Sequence, residues 1–118
     1  MNWALVPALL AAAVMTVFGV GALVRPSTLA WIGISADSPL GTSEIRAVFG
    51  GMFVALGLGC ILLRQPAVFG LLGAAWLADL AVRLVSVFVD RIPAKDAVPV
   101  LGVALVMGAA LASGYWLA

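Results

Sequence analysis

Four long apolar stretches joined by short polar breaks constrain this chain more than anything else in it. At a helical rise of about 1.5 Å per residue, each is as long as the roughly 30 Å hydrocarbon core of a bilayer is thick. Hydrophobic residues make up 65% of the 118, charged residues only 9%, and mean hydropathy is +1.26. A soluble domain this small exposes too much of what it folds to hide that much apolar surface. The expected fold is all-α: one integral membrane domain over residues 1–118, a four-helix transmembrane bundle with a short interfacial segment in the first loop.

Composition excludes several classes of function. A net charge of +1 offers no basic surface for nucleic acid. Histidine is absent and Cys60 is the single cysteine. That removes an internal disulfide, the usual Cys/His metal sites, haem ligation by histidine and histidine acid–base chemistry. No cofactor is implied, and Cys60 reads as a packing residue. Met1-Asn2-Trp3 lacks the positive start of a signal peptide, so the run to Val24 reads as a retained span.

The first span is expected from about Trp3 to Val24, with Pro7 tolerated in its first turns and Arg25-Pro26 ending it. The loop from Arg25 to Thr42 holds the amphipathic segment Pro26–Gly33, with Trp31 at headgroup level. The second span begins either at Pro39, capped by Ser38, or at Glu44, capped by Ser43, and ends near Leu63. Arg64-Gln65-Pro66 makes a tight antiparallel hairpin into the third span, about Ala67 to Phe88. A loop with Asp90, Arg91, Pro93, Lys95 and Asp96 precedes the fourth, about Val98 to Leu117, where Tyr115 and Trp116 form an interfacial belt. Loops one and three carry Arg25, Arg91 and Lys95, with Arg46 close by. The positive-inside rule puts those loops in the cytoplasm and both termini outside.

Lipid gives helices no hydrophobic reason to associate, so close contact through small residues must help. Ala47, Gly51, Ala55 and Gly59 form one such seam in span two. Ala104, Gly108 and Ala112 form another in span four, and span three offers Gly70 and Ala74. Such seams either lie inside the bundle or receive a partner helix.

Charges inside a span are kept when they are paired or used. Asp79, Arg83, Ser86 and Asp90 share one stripe of span three. In an antiparallel hairpin the start of span two lies level with the end of span three, so Glu44 and Arg46 join the same cluster. The six residues are then either an ion-pair network that fixes register or a half-polar pocket for an anionic or titrating group.

The segment Gly41-Thr42-Ser43-Glu44-Ile45-Arg46-Ala47-Val48-Phe49-Gly50-Gly51 resembles the signature of a bacterial membrane family called domain of unknown function 4345. Arg83-Leu84…Ser86…Asp90 is similar to its second motif, and Pro26…Leu29…Ile32-Gly33 to its first loop. The resemblance implies four spans in a bacterial inner membrane, with Glu44, Arg46, Gly50, Gly51 and Arg83 as marked positions. It departs at Phe49, where the family usually has tyrosine, and in a fourth span without the family's frequent glutamate.

Three functions follow. The first is a non-catalytic accessory or assembly subunit, partnered by other membrane subunits or in a homo-oligomer. The second is a binder or carrier of an apolar or lipid-like ligand, using Glu44, Arg46, Asp79 and Arg83. The third is an isomerase-type enzyme in which Asp79 moves a proton, a role that the adjacent Arg83 opposes.

Overall fold

The structure, a computed structural model, describes residues 3–32, 34–35 and 37–117, with backbone alone at Trp31 and Ile32. The Trp31 side chain expected at headgroup level therefore lies outside the described residues. All regular structure among them is helical, and four helical stretches are long and apolar enough to cross a membrane: Trp3–Val24, Pro39–Leu63, Pro66–Val89 and Ala94–Trp116.

Each stretch starts and stops where local chemistry requires. A 3₁₀ turn at Trp3–Leu5 leads into α1, Val6–Val24. The first loop carries a second 3₁₀ turn, Pro26–Ile32. Span two begins at Pro39, which settles the choice between its two candidate starts. Ser38 is extended, and its hydroxyl accepts the Gly41 N–H at 3.0 Å, while Pro39 at the first position loses no bond it needs. This first piece is α2, Pro39–Glu44.

A π-helical segment, Ile45–Met52, follows and leads into α3, Phe53–Leu63. A π segment this long inside an apolar span has no counterpart in the sequence expectation. Pro66 opens α4, Pro66–Val89, by the same first-position logic. The last helix, α5, is Ala94–Trp116, four residues longer at its start than the apolar run predicts. Extended Pro93 precedes it, and Asp96 in its first turn sits on the favourable positive end of the helix dipole. Lys95 and Asp96, expected in the loop, are thus helical.

Arg64 and Arg91 end their helices in the left-handed region, at φ 51° and 53°. After α4, the Ile92 N–H bonds the Val87 carbonyl at 3.2 Å, the six-to-one contact of a Schellman ending. Glycine takes this conformation freely, whereas an L side chain is strained there by about 1–2 kcal/mol. Arg91→Gly and Arg91→Val remove the same charge. Thermal melting in detergent should therefore rank Gly above Val by about that amount. Equal melting would show that the position carries no backbone strain.

The chain divides into two compact units, Met1–Ala11 with Arg64–Ala118, and Ala12–Leu63. In the first, α4 and α5 pack with almost no space between backbones. A methyl group at Gly73 would come 2.9 Å from Ala112 Cα, and one at Gly108 would meet Leu77 Cδ2 at 2.7 Å. At Gly114 it would meet Ala8 Cβ at 2.8 Å and Phe69 Cβ at 2.9 Å. Phe69 and Leu111 are fully buried there.

In the second unit, the later turns of α1 lie on span two. Methyl groups at Gly19 and Gly50 would run into Val54 Cγ2 at 2.8 Å and Leu23 Cγ at 2.7 Å. The first loop folds back through Leu29, which is buried with Ala22 and Ile45 and flanked by Phe18, Ile34 and Phe49.

Candidate functional site

The charged residues of the spans are distributed over both units. In the second, Arg46 stands in the π segment, and its Nε donates to the Leu23 carbonyl at 3.2 Å. The last carbonyls of any helix lack intrahelical partners, and a cation is favoured at that negative end. Arg46 thus caps α1 from another span. The unmet carbonyls at the end of α1 are the sequence signal for this contact, which pairing Arg46 with carboxylates alone overlooks. Glu44, one residue before the π segment, is exposed.

In the first unit, α4 carries the stripe Asp79, Arg83, Ser86 and Asp90. Arg83 Nε donates to Asp79 Oδ2 at 2.6 Å, one helical turn apart. The Ser86 hydroxyl bonds the Asp90 carboxylate across the next turn. Asp79 is the fourteenth residue of the 24 in α4, about 2 Å of rise beyond the helix midpoint. Asp79 is therefore near the middle of a candidate span, and Arg83 lies about 8 Å beyond the midpoint, toward the end of α4. More than a third of each side chain is exposed, 37% for Arg83 and 39% for Asp79. At 100° per residue, the stripe lies about 140° around α4 from Gly70, Gly73 and Leu77, the residues that meet α5. Packing on α5 accordingly leaves it uncovered.

The small-residue seams divide in the same way. In α5, Ala104 and Gly108 are buried and Ala112 meets Gly73. In span three Gly70 packs on Tyr115, but Ala74 is exposed and Gly73 takes its expected place. In span two the expected seam is not the packed one. Ala47, Gly51 and Ala55 are exposed, and a methyl group at Gly59 would meet nothing within 4 Å. The packed face carries Ile45, Gly50, Gly57 and Cys60. The π segment explains the shift. Its wider turn brings Ile45 onto the same face as Gly50, five residues on, whereas α-helical spacing selects positions three or four apart.

Among the described residues, no group of three or more Asp, Glu or Cys is placed to hold a metal ion. No family model, curated protein or solved structure matches this chain.

Proposed function

We propose that this chain is a non-catalytic interaction subunit of a membrane assembly. The observation that carries the reading is the Asp79–Arg83 pair, inside α4 with Asp79 near its midpoint, and more than a third exposed. A charge facing hydrocarbon costs about 3 kcal/mol on insertion scales, so intramembrane charges face protein or water. A partner that covers the pair removes that cost. The small loops and close glycine contacts suit a packing element better than a reaction vessel. The reading includes a multi-pass position in a bacterial inner membrane, with loops one and three in the cytoplasm on the strength of Arg25, Arg91 and Lys95. The bacterial inner membrane in this reading rests on the resemblance to the four-span family, and the interaction role does not.

Native mass spectrometry on the chain extracted gently from its own membranes tests this reading. The expected result is a defined protein complex at fixed stoichiometry. A lone chain, with or without a bound small molecule, would overturn it.

A further inference from the structure

We propose that the partner at this site is a second copy of the chain, joined by parallel pairing of α4 with α4. This rests on the interaction reading above and names its partner. Two observations lead to it.

The first is a seam. Ala75, Asp79, Val82, Ser86 and Val89 recur at alternating intervals of four and three, the spacing of a left-handed helix pair. Ala75 is exposed, and Val82 and Val89 are 70% and 72% exposed. Small side chains at Ala75 and Ser86 permit close approach on either side of the ion pair.

The second is charge complementarity. Arg83 uses Nε on its own Asp79. Among the described residues, its two Nη groups have no acceptor, although a guanidinium offers five N–H donors in a fixed fork. A covering partner must present acceptors at the same depth and leave the site near neutral. Two copies inserted the same way round are related by a two-fold axis along the membrane normal, so equivalent residues lie at equal depth. Asp79 then faces Asp79 of the other copy. Each Arg83 bridges the two carboxylates, with Nε to its own and Nη to the other. The four charges sum to zero and every one is paired.

The test uses full-length chain labelled at its amino terminus, in phosphatidylethanolamine–phosphatidylglycerol vesicles. Single-molecule photobleaching is recorded over a range of protein-to-lipid ratios. The parent should shift from one bleaching step to two as density rises. Ala75→Ile thickens the seam away from α5, and should weaken dimerisation at least tenfold without changing the melting temperature of the monomer. The double variant D79L/R83L leaves no unpaired charge, and should fold as the parent does while dimerising at least tenfold more weakly. A parent that stays monomeric at every density overturns the proposal. So does a dimer that both variants leave intact.

Native mass spectrometry separates the two levels. One copy held with a different polypeptide overturns self-pairing and leaves the interaction reading standing. One copy alone overturns both.

Discussion

Gly57→Ala should cost this protein most of its folded yield. A methyl group there would overlap Thr16 Oγ1 and come 2.7 Å from the Ala12 carbonyl oxygen and 3.0 Å from the Thr16 nitrogen. Two of these atoms are backbone, and Thr16 Oγ1 is tied to the Ala12 carbonyl at 2.8 Å. No rotamer change makes room, so the helices must separate. Overpacking a core costs about 1–3 kcal/mol even where side chains can give way, and here the contact is, with that of Gly19 on Val54, one of those that bring α1 onto α3. Gly59→Ala is the matched control, two residues along on an open face. It should gain up to about 1 kcal/mol from helix propensity alone. Fluorescence-detected size-exclusion chromatography with thermal challenge reads both. If Gly57→Ala melts with its control, the close approach of α1 and α3 is wrong.

Arg83→Leu should be the second most damaging change. It leaves the Asp79 carboxylate near mid-span without its 2.6 Å partner. An uncompensated charge facing hydrocarbon costs about 3 kcal/mol on insertion scales. Folded yield should fall at least tenfold. The double change to leucine at Asp79 and Arg83 removes both charges and should restore yield to the parental level, since a well-packed apolar replacement for an ion pair is often neutral or stabilising. The non-additivity of the two substitutions is the measured quantity. If each single variant is as stable as the parent, the pair carries no structural role.

The architecture is largely legible in the sequence. Four spans follow from apolar length. The breaks at Arg25-Pro26 and Arg64-Gln65-Pro66 mark limits, since the residue before proline leaves the helix, whereas Pro39 and Glu44 are equally good starts for span two until the Ser38 cap decides for Pro39. The Asp79–Arg83 pair was readable from its four-residue spacing. What could not be read was the inward face of span two. Nearly every residue from Ile45 to Leu63 is apolar or glycine, so no polar stripe marks an outside. Ala47-Gly51-Ala55-Gly59 and Gly50-Val54-Gly57 are both small enough to form a seam. Leu23, Gly19 and Thr16 on α1 decide between them by shape. The π segment, which carries the decision, leaves no mark in hydropathy. The start of α5 was missed because Lys95 and Asp96 look like loop residues, although a charged first turn is a normal helix beginning.

The double allegiance of α1 bears on the order in which the chain is assembled. Its turns at Ala12 and Thr16 lie on Gly57, but its turn at Ala8 lies on Gly114. Those two partners leave the ribosome 57 residues apart, 114 minus 57, which is roughly 3–11 s at ordinary rates of synthesis. The later turns of α1 can dock as soon as span two inserts. The first turns must wait through the making of α4 and α5, exposed to whatever else the membrane holds. That interval is when a chaperone, an insertase or another subunit has its longest access to the front of α1, and it closes when the last helix arrives.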